Sequence, residues 1–235
     1  MCTVTFIHFN KTFFITSNRD ESPGRNAKGL ISNHFPGKVG IHYPLDEESG
    51  GSWIAMSDSG KVACLLNGAF EPFIPELSYR QSRGQVVVDA ITEPDVKRFI
   101  ETYPLDGIAP FTLLIFENGN FVQLAWDGTN KHIQPLSVTE PQIWSSVTLY
   151  PPHVRAWRKA LFEKWIAQTE IFDRDSIIDF HQIANGDPDN DFIMNRNEIV
   201  KTLSITSIEL KPESGSLLHF ALDKNLREEI LVKYE

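Results

Sequence analysis

Residues 2–21, CTVTFIHFNKTFFITSNRDE, decide how the rest of the chain is read. Residues 2–9 and 12–17 are rich in β-branched and aromatic side chains, with Asn10-Lys11 between them as a short turn, so the segment reads as a hairpin. The fold therefore opens on two antiparallel strands, with Cys2 on an ordered one. A hairpin also returns the end of its second strand to the start of its first. That return sets Asn18-Arg19-Asp20-Glu21 beside Cys2.

Outward from this hairpin the chain keeps to paired strands. The connection to about residue 50 is polar and punctuated by Pro23, Gly24, Gly29, Pro36, Gly37 and Pro44, which predicts loops with room for one short strand. Gly50-Gly51-Ser52 then opens a second hairpin, Trp53–Ser57 and Lys61–Asn67 around Asp58-Ser59-Gly60. Helical patterns cover 79–91 and 94–103. Strands at 111–116 and 121–126 flank Asn118-Gly119, a strong tight-turn signal, and further strands are expected at 131–136 and 142–148. Pro151-Pro152 starts a helix to about residue 169, whose Val154, Trp157, Leu161 and Trp165 form an apolar stripe read as core. A helix at 174–184 and a hairpin of 202–210 with 216–222 follow, then a charged tail. Hairpins in place of single strands alternating with helices imply antiparallel sheets in a layered α+β fold. No composition break divides the chain, so one domain over 1–235 is expected.

Composition narrows the chemistry. The 235 residues are 41% hydrophobic, enough for a sizeable core, and 22 basic against 31 acidic side chains give a formal charge of −9. Without a basic patch, that charge repels phosphate backbones and anionic bilayers, so nucleic acid is not an expected partner. No 18-residue apolar run predicts a membrane span, and the oligomeric state is unspecified. Cys2 and Cys64 are the only cysteines, too few for a disulfide framework, which points to a reduced, cytoplasmic setting. Dinucleotide, phosphate-loop, zincin and esterase motifs are absent, and the histidines do not pair at metal-ligand spacing. Asp187-Pro188-Asp189-Asn190-Asp191 with Glu198 imitates a calcium loop, but Phe192 stands where the turn needs glycine. It reads as an acidic turn, and no metal or cofactor is called for.

Cys2 is the sharpest candidate. With the initiator methionine removed, it carries a thiol and a free α-amine on one residue, and an amine of pKa about 7.7–8.0 can accept the thiol proton. Arg19 would stabilise the thiolate and Asp20 would orient the α-ammonium. The plainer alternatives are a buried small hydrophobe at Cys2 and a surface Arg–Asp pair.

These residues resemble a known family. Met-Cys at the start, Asn18-Arg19-Asp20-Glu21, Gly50-Gly51-Ser52-Trp53, Gly60-Lys61 leading to Asn67, Ser82-Arg83-Gly84 and Trp157-Arg158-Lys159 occur in the order of the NRDE-motif, or transport and Golgi organisation protein 2, family. The resemblance implies an N-terminal-nucleophile hydrolase-like fold: a four-layer αββα sandwich of two antiparallel sheets between helical layers. It implies Cys2 as nucleophile, Arg19 and Asp20 as its partners, and Asn67 as an oxyanion donor, the alternative for Asn67-Gly68 being a strand-ending turn. Cysteine-type relatives, the penicillin V acylase and bile salt hydrolase group, cleave non-peptide amide bonds.

Asn18, Trp53 and Phe70 are the residues expected to meet a substrate. Trp53 lines an apolar acyl pocket or fills the core, and Phe70, Phe73 and Ile74 would cover such a pocket. Two departures stand against the amidase pattern. Ser145-Ser146 stands where relatives often have an asparagine, and the late strand lacks an arginine for which Arg196 or Lys201 would substitute. The expected function is an amidohydrolase or acyltransferase working through an acyl-Cys2 intermediate on a small molecule with an apolar moiety. The alternative is a binding or trafficking protein for lipid, acyl-CoA or haem.

Overall fold

The computed structural model describes residues 3–34 and 39–234, so Cys2 lies outside the described residues. The opening hairpin is β1 (Thr3–Phe9) and β2 (Thr12–Glu21), joined at Asn10 and Lys11. Both turn residues take positive φ, 48° and 64°, the left-handed backbone whose twist matches that of a two-residue hairpin. β2 runs through Asn18-Arg19-Asp20-Glu21, which is therefore part of the sheet.

Two antiparallel sheets stack face to face. The first is ordered β10-β1-β2-β12-β13-β14, with β10 (Gln142–Ser145), β12 (Val200–Lys211), β13 (Ser214–Ala221) and β14 (Leu226–Lys233); the short β11 (Asn195–Arg196) pairs with β12. The second runs in chain order: β3 (Leu30–Asn33), β4 (Ile41–Pro44), β5 (Ile54–Ser57), β6 (Val62–Asn67), β7 (Phe111–Glu117), β8 (Asn120–Trp126) and β9 (Lys131–Pro135). Helices α1 (Arg83–Thr92) and α2 (Val96–Thr102) belong to the second sheet's side, and α1 packs on β5 and β6. Helices α3 (Pro152–Gln168) and α4 (Arg174–His181) cover the first sheet. The architecture is the αββα sandwich.

Alternation explains the layering. Val4, Phe6 and Ile15 face the second sheet and join its large apolar cluster, where the Phe6 ring meets Phe121 at 4.5 Å and Phe13 meets Phe116 at 4.7 Å. Ile7 and Phe14, one residue out of step, face the helices and pack with Phe162, Ile177, Phe180 and Phe192.

Three sequence expectations are corrected. The 22–50 connection holds two strands, β3 and β4, which build the edge of the second sheet. The charged tail is edge strand β14. Its half-buried Ile230 and buried Val232 alternate with exposed Arg227, Glu229 and Leu231, so charge masks the period, and charges on an edge deter further pairing. The buried face of α3 is Val154, Arg158 and Phe162, while Trp157 is 38% exposed. A polar need displaces the expected stripe, because Arg158 serves the carbonyls of Asn190 and Asp191 and the hydroxyl of Thr3.

Candidate active site

The period of two sorts the charged run of β2 onto opposite faces. Asn18 and Asp20 lie under the helices. Asn18, fully buried, donates from Nδ2 to the carbonyls of His181 (3.0 Å) and Phe192 (2.7 Å), and its Oδ1 meets His181 Nδ1. Asp20 accepts from Tyr150 Oη at 2.7 Å and Thr202 Oγ1 at 2.6 Å. The Tyr150 ring in turn carries the Arg158 guanidinium at 3.7 Å.

Arg19 points the other way, between the sheets, and is 3% exposed. It donates to Asp46 at 3.1 Å and to the carbonyl of Arg25, and lies over the Trp53 ring at 4.6 Å. Burial pulls its pKa below the ordinary arginine value, and Asp46 opposes that pull. Arg25 shares the same carboxylate at 2.9 Å and also holds Glu21 and Glu48. Arg83 opens α1 behind the N-cap Ser82. Its hydrogen bond among the described residues goes to the Pro110 carbonyl at 3.2 Å, and burial lowers its pKa too.

Asn67 ends β6 opposite Phe111. Gly68 follows at φ 80°, and a Cβ there would strike Val147 and Thr148 at 2.5 and 2.8 Å, so glycine is required for the chain to leave the sheet. The Asn67 carbonyl accepts from Ser146 Oγ at 2.8 Å. Its side-chain amide makes no hydrogen bond among the described residues. Ser146, the serine where relatives often have an asparagine, thus anchors Asn67's backbone.

Two hollows meet at Asn67. A small cavity of about 60 Å³ is lined by Arg19, Arg25, Trp53, Asn67 and Arg83 among others. A groove of about 460 Å³ runs between the second sheet's end and α3, lined by Asn67, Phe70, Trp144, Ser146, Arg155 and Lys159. The structure therefore brings Arg19, Trp53 and Asn67 to one cavity and puts Phe70 on the neighbouring groove, its ring edge-on to His132 at 4.9 Å. It does not bring Asn18 or Asp20 to either hollow. Phe73 turns to Arg83 (6.0 Å), and Ile74 is 92% exposed and covers nothing. Arg196 and Lys201 line neither hollow; Arg196 lies over Tyr150 at 5.5 Å and Lys201 pairs with Glu198.

The model of the Transport and Golgi organisation 2 family matches residues 1–214. The chain belongs to that family. No curated protein matches the sequence. Among solved structures, an N-acylethanolamine-hydrolyzing acid amidase ortholog from Caenorhabditis elegans superposes with a TM-score of 0.61 at 11% identity, covering 88% of this chain and 92% of its own. A cysteine-to-alanine mutant of the conjugated bile acid hydrolase from Clostridium perfringens gives a TM-score of 0.57 at 10% identity, covering 100% and 97%. At such identities the likeness is one of fold, so this family member shares the αββα architecture of those hydrolases.

Several members of the site escaped the sequence. Asp46 and Arg25 sit in the loop-rich stretch that carries no motif, and Tyr150 belongs to none. Arg83 has a signal in the Ser82-Arg83-Gly84 motif, but it is the packing of α1 on β5 and β6 that sets it on one cavity with Asn67. Among the described residues no helix is long and apolar enough to cross a membrane. Among the described residues no group of three or more His, Cys, Asp or Glu side chains converges to hold a metal.

Proposed function

We propose that the chain is a cysteine amidohydrolase or acyltransferase that attacks a non-peptide C–N amide, or a thioester, through an acyl-Cys2 intermediate. The observation that carries this is the ladder pairing Thr3 with Asn18. The ladder continued by one step would pair position 2 with Arg19. Thr3 faces the helices through Arg158, and strand alternation continued by one residue would offer position 2 to the Arg19 face. The proposal requires that orientation.

The division of β2 between two faces suits the roles. A side chain belongs to one face of a strand, but the terminal amine lies in the strand's plane and is open to both. Arg19 serves the thiolate from between the sheets, and Asp20 orients the α-ammonium from the helix side. Once Met1 is removed, the α-amine takes the thiol proton and the thiolate attacks the carbonyl carbon, forming a C–S bond. The Asn67 amide donates to the oxyanion, a contribution of about 2.7–4 kcal/mol for such a donor. Collapse breaks the C–N bond, and the amine leaves with the proton held by the α-ammonium. Water or another acceptor then cleaves the thioester and regenerates the thiol. The structural neighbours support the reading: one is an amidase, and in the other the mutated cysteine is the second residue.

Intact-mass measurement with brief iodoacetamide treatment tests this reading. Cys64 is an internal control, fully buried with its thiol pushed up to about 12 by burial. The expected result is loss of Met1 and alkylation of Cys2 much faster than of Cys64. Retained Met1, or equal reactivity, would overturn it. A non-catalytic carrier of lipid, acyl-CoA or haem on the same scaffold is favoured by the 460 Å³ groove, whose lining needs no thiol. It predicts ligand binding that survives Cys2→Ser in a protein whose Cys2 is unreactive.

A further inference from the structure

The 60 Å³ cavity is unusual in what its donors lack. Trp53 is 2% exposed, yet its indole N–H meets no acceptor among the described residues. A buried donor without a partner costs about 1–3 kcal/mol, so an acceptor is expected to visit it. Arg83, half-buried and bonded to one backbone carbonyl, is a second donor at the cavity. Arg19 and Arg25 are taken up by Asp46, Glu21 and Glu48, of which Glu21 and Asp46 also line the cavity, whereas Arg83 has the Pro110 carbonyl and no carboxylate within ion-pair distance among the described residues.

The cavity's serines are engaged, while the Asn67 side-chain amide, like the indole, has no hydrogen bond among the described residues. Ser52 Oγ donates to the backbone, and the hydroxyl oxygens of Ser49 and Ser82 accept backbone N–H groups. What remains for a ligand is the indole N–H, the Asn67 amide and the charge of Arg83, in a chain whose net charge is −9.

Size limits the occupant. A volume of about 60 Å³ is that of roughly two waters. It admits a carboxylate and excludes a ring or a chain, for which the 460 Å³ groove on the other side of Asn67 has room.

We infer that this cavity is a carboxylate subsite, in which Arg83 and the Trp53 indole N–H hold an acidic group of the ligand. The substrate class is then an amide with a carboxylate on one side of its carbonyl and an apolar group on the other, the carbonyl lying at Asn67. This rests on the acyl-Cys2 reading for the placement of the carbonyl. The two donors do not depend on Cys2, so the two ideas can fail separately.

Sodium hippurate is a probe of that class, and hippuramide is its neutral counterpart. The protein has five tryptophans, so a nitrogen–proton correlation spectrum shows few indole peaks, and Trp53→Phe assigns the one that matters. Hippurate is expected to move the Trp53 indole peak saturably, hippuramide to leave it in place, and Cys2→Ser to change neither result. Arg83→Gln should weaken hippurate about tenfold, and Arg83→Lys should recover part of that loss, which separates charge from folding. An indole peak that hippurate does not move, or that hippuramide moves equally, would overturn the subsite. Saturable binding together with an unreactive Cys2 would overturn the acyl-enzyme reading and leave the subsite standing.

Discussion

The two faces of β2 treat buried polarity in opposite ways. Under the helices, Asn18, His181, Thr5, Arg158 and Thr3 bond to one another or to backbone carbonyls, His181 Nε2 meeting Thr5 Oγ1 at 2.8 Å. Between the sheets, Arg19 is matched by Asp46, but the Trp53 indole and the Asn67 amide are left over among the described residues, and Arg83 beside them has no ion pair there. A satisfied network fixes a strand; unmatched donors beside a cavity are available to a ligand. One run of four residues supplies both because alternation sends its neighbours to different layers.

The contrast is broken most forcefully at Arg158. Arg158→Met removes the donor to Thr3, Asn190 and Asp191 from a fully buried site, and should cost about 3–5 kcal/mol in urea unfolding at an unchanged m-value. A loss below about 1 kcal/mol would show that the helix-side network does not hold the strand. Asn18→Ala, which strands the carbonyls of His181 and Phe192, should cost about 2–3 kcal/mol in the same experiment.

The pH dependence compares a histidine from each face. Burial, reinforced by Arg158, lowers the His181 pKa from 6.5 to about 3; burial with Arg19 nearby lowers that of His219, between the sheets, to about 4. Both are depressed in the folded state, so the unfolded chain binds the extra proton. Their stabilisation is present above pH 6.5 and is lost as pH falls, by up to about 1.4 kcal/mol per pH unit for each. His181→Gln should flatten unfolding free energy against pH down to about 3, and His219→Gln only down to about 4. Equal slopes in wild type and variant would remove the argument. The smallest effect is expected at Trp53→Phe, under about 1 kcal/mol, because the lost N–H had no partner and the ring remains. A larger loss would mean that the indole is structural.

Much of the fold was legible because its signals are local. Asn10-Lys11 and Asn118-Gly119 adopt the positive φ that a tight hairpin demands, and the strands beside them follow. Cys2, Arg19, Trp53 and Asn67 could be singled out because each stands in a motif. What was illegible follows from competition. The tail's alternation at Ile230 and Val232 was hidden under charge, and α3 turned its stripe because a buried guanidinium had carbonyls to satisfy. Asp46 belongs to no motif, yet it neutralises Arg19.

Turn chemistry, strand period and helix starts act over a few residues, so the chain's own order was enough to specify antiparallel pairs, a layered α+β fold and a reactive residue type near the start. The meeting of Arg19, Trp53, Asn67 and Arg83 around one cavity depends on two sheets stacking in one register and on α1 packing against β5 and β6. Those are contacts between residues up to 64 positions apart, from Arg19 to Arg83. No local preference encodes them; they arise when the apolar faces of both sheets are buried together, and the polar side chains are carried to wherever that burial leaves them.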